Sequence, residues 1–234
     1  MGVNRFKSKK KVKEQDLKSI KRGSKSKFRE WVETIVIALI LATFIRTFII
    51  QAFRIPTESM EPTLLGDAYY VNYSSLFKSP IPRFIQQHTY LVGDHLFVCK
   101  FIYGISIPFT NKQIFNFNHP KRFDVVVFKY PEDPRKDFIK RIIGLPGEEI
   151  MIRDRQVTIN GEPLDDKYAY FIDEPLIPRR DYGPVIIPKD SYFVMGDNRD
   201  NSRDSRYWDF LSRELIRGKA LFIYWPPQRI KWIR

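Results

Sequence analysis

A single cysteine in 234 residues, Cys99, excludes an intrachain disulfide and a cysteine-based zinc site. Histidine is nearly as scarce. His88, His95 and His119 are scattered, without the H-E-x-x-H kind of spacing that places two imidazoles on one metal. No small-x-small pair follows the one long apolar run, so no signal-peptide cleavage site is marked there. No later segment is apolar for long enough to make a second span, and the middle of the chain lacks any sustained helical period. A folded domain in this chain therefore rests on its hydrophobic core alone, and that core is predicted to be made of strands.

What the chain does have in excess is positive charge. The formal net charge is +13, unevenly placed: residues 1–30 hold twelve Lys/Arg against three acids, and the other 204 residues share the remaining +4. Residues 1–27 are Lys/Ser-rich without periodic apolar positions, which predicts a disordered basic arm. Such an arm can bind nucleic acid or anionic lipid, but beside a hydrophobic span it more simply sets topology. The span is Trp31 to Ile50, WVETIVIALILATFIRTFII. About 20 helical residues reach roughly 30 Å, the thickness of a bilayer core. Glu33 and Arg46 lie toward its two ends, within reach of headgroups and water. The expected organisation is a basic cytoplasmic tail over 1–30, an uncleaved transmembrane signal-anchor helix over 31–50, and an extracytoplasmic β domain over 51–234. A buried helix of a soluble protein is the alternative for the apolar run.

Beyond the span, short β-type runs alternate with turns. Asp124–Tyr130, Phe138–Leu145 (stopped by Pro146-Gly147), a strand–turn–strand over 149–159 followed by Asn160-Gly161, Ser191–Met195 and Ala220–Trp225 all read as strands. Gly66-Asp67 and Gly93-Asp94 open similar turn-then-strand patterns, and the stretch between them, about 66–92 with Pro80 and Pro82, reads as an exposed loop or insertion. The fold class is mainly β, a barrel or sandwich.

Three segments could carry chemistry. Ser59 sits between Pro56 and Pro62, in a stretch that proline stiffens and keeps from being helical, either as a presented nucleophile or as a serine in a linker. Lys140 shares a strand face with Phe138 and Ile142, and burial against them would disfavour its charged form. At a pKa of about 10.4 only roughly one lysine in 2,500 is neutral at pH 7, whereas at about 8 roughly one in ten is. Arg141 faces the other way and, always charged, cannot serve as a base. The alternative for Lys140 is a side chain snorkelling from a strand edge. The third segment, Gly196 to Arg206, is dense in Gly, Asn, Asp and Ser but does not follow the calcium-loop pattern. Arg–Asp pairs would brace it from within and could hold Ser202 against the lysine amine; a purely structural loop is the alternative.

PTESMEPTL (56–64), DVVVFKYPEDP (124–134), DFIKRIIGLPGE (137–148) and GDNRDNSRDSR (196–206), in this order, resemble the bacterial type I signal peptidases, membrane-bound Ser/Lys proteases. The resemblance implies a signal-peptidase-like β-barrel or sandwich catalytic domain with Ser59 as nucleophile and Lys140 as general base. It implies an oxyanion hole from the Ser59 N–H and the Thr57 hydroxyl, Ser202 orienting the lysine, and Asp204 and Arg206 bracing its loop. Small-residue specificity pockets would be lined by Phe53, Ile55, Leu64, Phe138 and Ile139. It further implies no metal or cofactor, and as partners signal-peptide-bearing preproteins and the lipid bilayer, not nucleic acid. The location implied is the bacterial inner (plasma) membrane, single-pass, with the N-terminus cytoplasmic and the catalytic domain periplasmic. The chain departs from the family pattern at Glu58, where a small residue is commoner, at Phe123, which replaces a glycine, and in the 66–92 insertion. The alternatives are a non-catalytic membrane-tethered β scaffold and a self-processing Ser/Lys protease; the second would want an internal Ala-x-Ala site, and none is evident.

Overall fold

The computed structural model describes residues 27–67, 70–71, 90–91, 93–106, 113–114, 118–172 and 181–233. The chain divides into two units, Met1–Thr47 and Phe48–Arg234. All but the last residue of the expected 1–27 basic arm and most of the expected 66–92 insertion lie outside the described residues, and residues 27–30 of the expected 1–30 tail are helical.

In the first unit residues 27–44 are α-helical, and a π-helical turn, Ile45–Ile49, runs across the boundary into the second. The expected 31–50 helix differs at both ends: the chain is already helical at residue 27, where the described residues begin, and Ile50 already opens a strand. The C-terminal change has a local cause. Ile45, Thr47, Ile49 and Ile50 are β-branched and stiff at χ1, and from Ile50 onward the backbone pairs with a strand, Ile50 opposite Cys99. Lys27, Arg29, Glu30 and Glu33 crowd the first two described turns, and among the described residues no helix is long and apolar enough to cross a membrane. Trp31, Leu39, Ile40 and Leu41 are each more than half exposed.

The second unit is mainly β, and its paired strands run antiparallel. The larger, eight-stranded sheet runs in the order Ile50–Arg54, His95–Cys99, Ile216–Trp225, Val125–Tyr130, Asp133–Gly144, Ser191–Met195, Leu211–Ser212, with Lys231–Trp232 also beside Ile216–Trp225. A four-stranded sheet runs Glu162–Pro163, Gln156–Ile159, Glu149–Arg153, Tyr182–Ile186. The dense Val125–Tyr130 run is central and buried at five of its six positions, as expected of a strand covered on both faces. Asp133–Gly144 is longer than its apolar part predicts. Its first half is exposed and its second half buried, because Asp133–Asp137 extends past the core and only Ile139–Gly144 lies within it. Lys140 stands just inside that boundary.

Two chain features frame the segment before the site. At the foot of the expected insertion Tyr70–Val71 pairs with Tyr90–Leu91, and Asp67 accepts both the Gly93 N–H and the Arg54 guanidinium. Phe123, which stands where the resembled family has glycine, has φ 69°. A left-handed backbone is costly for a bulky residue, which accounts for glycine being the usual choice there. Here the ring packs on Tyr168, centroids 5.4 Å apart, and the Phe123 carbonyl accepts from Arg141.

Candidate active site

Ser59 lies in a single 3₁₀ turn, Glu58–Met60, entered from extended Thr57. The stiff Pro56–Pro62 stretch is held from both sides by glycines. A Cβ on Gly66 would fall 2.6 Å from the Thr57 carbonyl carbon, and one on Gly196 would fall 2.3 Å from the Ser59 carbonyl oxygen. Asn198 completes the clamp: its N–H donates to the Ser59 carbonyl at 3.2 Å and its Nδ2 to the Glu58 carbonyl at 3.4 Å. Gly196→Ala is therefore expected to displace Ser59 and lower kcat at least about a hundredfold, since misplacement of about 1 Å is enough for that. A steady-state comparison, with circular dichroism to show an intact fold, checks it; wild-type kcat would refute the clamp.

Opposite Ser59 stands Lys140, on the long strand across from Val126. Its Nζ is 2.6 Å from Ser59 Oγ, and both residues are buried. Phe138 and Ile142 share its strand face as the alternation predicts, and the Phe138 ring centroid is 5.7 Å from Nζ. Burial lowers the Lys140 pKa from 10.5 to about 8; the Asp204 and Asp197 carboxylates pull against that shift and the Arg206 guanidinium adds to it. Thr57 Oγ1 is 3.3 Å from Ser59 Oγ.

The 196–206 loop is braced by its own ions. Arg206 makes a bidentate pair with Asp204, Nε to Oδ1 at 2.8 Å and Nη2 to Oδ2 at 2.9 Å, and donates to the Arg199 carbonyl at 2.7 Å. The Gly196 N–H donates to Asp204 Oδ2 at 3.0 Å. Burial alone would raise the Asp204 carboxyl, but Arg206, the Gly196 N–H and the nearby Ser202 hydroxyl hold it below the usual carboxylate range. Ser202 is buried within this loop, and among the described residues its Oγ has no hydrogen-bond partner, Lys140 included. On the other strand face Arg141, fully buried, pairs with Asp197 through Nε at 2.8 Å and Nη2 at 2.7 Å and lies 3.6 Å over the Tyr168 ring.

An open cleft of about 600 Å³ leads to the pair, lined by Pro56, Thr57, Glu58 and Ser59 on one side and Lys136 to Lys140, with Asn201 and Arg203, on the other. Of the five residues expected to line specificity pockets, Phe138 and Ile139 are in this lining. Phe53, Ile55 and Leu64 are not: Ile55 and Leu64 are core residues, and Phe53 packs against the same core cluster. Gly196, Asn198, Asn201 and the Arg141–Asp197 pair had no role in the sequence reading. The only signal for them was their position inside matched motifs, because which backbone carbonyl an Asn reaches is a long-range fact.

A hydroxyl in contact with a buried, easily deprotonated amine at the foot of an open cleft is the equipment of a serine hydrolase. Comparison with known proteins narrows the class to a serine endopeptidase. Residues 28–225 match the family described as signal peptidase, peptidase S26. A protein named probable signal peptidase I-2 in Synechocystis sp. is 38% identical over 209 residues, which cover 86% of this chain and 76% of that one. A signal peptidase I of Leptolyngbya laminosa is 36% identical over 213 residues, covering 88% of this chain and 83% of its own. A solved signal peptidase I from Enterococcus faecalis shares 32% identity, covering 44% of this chain and 97% of its own, with a TM-score of 0.37. This chain belongs to the signal peptidase family, peptidase S26.

Proposed function

We propose that this chain is a membrane-anchored serine endopeptidase that removes N-terminal signal peptides from exported preproteins, with Ser59 as nucleophile and Lys140 as general base. The observation that carries the reading is the 2.6 Å contact between Lys140 Nζ and Ser59 Oγ, made by a lysine whose pKa burial has brought to about 8. The neutral amine takes the hydroxyl proton as Oγ attacks the scissile carbonyl carbon. Thr57 Oγ1 and the Ser59 N–H receive the oxyanion, each such donor being worth about 3–4 kcal/mol. The C–N bond breaks as the ammonium returns its proton to the leaving amine. Lys140 then deprotonates a water that cleaves the acyl ester and restores Ser59. Asp204, Arg206 and Ser202 act through the loop that shapes the lysine's surroundings. The substrate enters as an extended chain along the cleft, with small residues at −1 and −3 beside Phe138 and Ile139.

The pH profile tests this. Protonated Lys140 cannot accept the serine proton, so kcat/KM is expected to fall on the acid side with an apparent pKa near 8, about tenfold per unit below it. A profile flat down to pH 6 would overturn the lysine base. Anchoring is supported by the apolar run over 31–49, by its exposed large side chains and by the charge asymmetry that puts the 1–30 arm in the cytoplasm and the domain from 51 onward outside. Protease added outside intact spheroplasts should then degrade the β domain and spare the arm; the reverse pattern would refute the orientation.

A further inference from the structure

Glu58 stands beside the nucleophile, where a small residue was expected, and the catalytic scheme above gives it no work. Its backbone is fixed by the Ser59 turn and by Asn198, and its carboxylate accepts from Asn201 Nδ2 at 3.2 Å. It is half-buried and lines the cleft.

The other charged groups in the cleft lining are Lys136, Asp137, Lys140 and Arg203. Lys136 is engaged by Asp133 at 3.4 Å and Arg203 by Glu132 at 3.1 Å, and both are mostly exposed on long, mobile stems. Among the described residues no cation lies within ion-pair distance of Glu58. The cleft thus presents cations that already have partners and, next to the reacting serine, an oriented carboxylate held only by a neutral amide. An oriented, half-desolvated charge discriminates between partners better than a solvated, flexible one.

We infer that Glu58 is a specificity determinant, its carboxylate receiving a basic side chain of the substrate immediately beside the scissile bond and disfavouring an acidic one. The inference rests on Ser59 being the nucleophile, since that places Glu58 next to the bond being cut.

The test uses the full-length enzyme in detergent with peptides carrying small residues at −1 and −3 and Lys, Gln or Glu in turn at −2, +1 or +2. At one of these positions kcat/KM for Lys is expected to exceed that for Glu by about tenfold at low ionic strength, the gap narrowing as salt is added. Glu58→Gln should shrink the gap to about twofold, Glu58→Asp should keep most of it, and Asp137→Asn should leave it in place. A ratio near one at all three positions, a preference for Glu, or a gap removed by Asp137→Asn and not by Glu58→Gln would overturn the inference while peptide cleavage itself continued. Cleavage of these peptides that persists in Ser59→Ala would instead overturn the functional reading, and this inference with it.

Discussion

Lys140→Met is expected to lower kcat for signal-peptide cleavage by about 10⁴-fold or more and, at the same time, to make the protein more stable. The loss of rate follows from removing the one group in contact with Ser59 Oγ that can take its proton, and groups acting as a unit with a nucleophile typically cost this much. The gain in stability follows from the same burial that makes the lysine useful. Its folded-state pKa, about 8, lies below the value near 10.5 of the unfolded chain, so between these pH values the unfolded state binds more protons. Stability therefore rises as pH is raised through that window. Below about pH 8 both states are protonated and the folded state carries the full cost of the buried charge, about 3 kcal/mol. Methionine fills nearly the same space without that cost, less the hydrogen bond to Ser59, worth about 1 kcal/mol. A rise in Tm of a few degrees at pH 7 is expected for a domain of this size. Lys140→Arg separates charge from basicity: it keeps a cation, cannot give up a proton, and should be as inactive as the methionine variant. Turnover by Lys140→Met within tenfold of wild type would remove lysine from the mechanism, and an unchanged or lowered Tm would show that its burial carries no penalty.

The second large effect is on the fold. Arg141→Met is expected to destabilise the β domain by about 3–5 kcal/mol, because it leaves the fully buried Asp197 carboxylate without the guanidinium that grips both its oxygens. At roughly 2–4 °C per kcal/mol this is a fall in Tm of about 10 °C, read by calorimetry. It also removes the stack on Tyr168 and the donor to the Phe123 carbonyl. Asp197 precedes Asn198, whose N–H holds the Ser59 carbonyl, so kcat should fall with stability even at temperatures where the variant is folded. The double variant Arg141→Met/Asp197→Leu replaces the ions by apolar groups of similar size and should recover much of the lost stability, since burying a matched ion pair gains little over packing. A single variant that loses less than about 1 kcal/mol would show that the pair is not what fixes the loop.

These two neighbours illustrate how far the chain could be read without coordinates. Alternation along Phe138–Ile142 was enough to set Lys140 against an apolar face and Arg141 on the other, and to give the direction of the lysine pKa shift should that face be buried. The period of two is a property of extended backbone itself, so it survives into the tertiary structure unchanged. The mainly β class, the Val125–Tyr130 strand and the turn-rich 196–206 loop were legible for the same local reason: apolar runs of strand length and turn-forming residues report on their own few neighbours. The resemblance of four short motifs to the signal peptidases stood on the residues alone, and the comparisons show the family.

What no local pattern could state is which partners meet across the chain. Ser59 and Lys140 are 81 positions apart and touch only because the Pro56–Pro62 stretch is wedged between Gly66 and Gly196 over the inner half of one long strand. The helix after residue 44 gave way to a π-helical turn and then to pairing of Ile50 with Cys99, a competition that the apolar composition of 31–50 does not record. Ile55 and Leu64 went wholly to the core, Ile139 joined the same core cluster while still bordering the cleft, and Phe138 lines the cleft, since apolar side chains in one motif look alike until the packing is known. Ser202 Oγ made no hydrogen bond to Lys140, and Asn198 and Asn201 reached back to the serine turn. Sequence, by itself, determined the family, the strands and the chemistry of the individual side chains, because these depend on backbone geometry and bond polarity over a few residues. Only the tertiary structure decided their contacts, because burial and long-range hydrogen bonds are set by the whole packed domain.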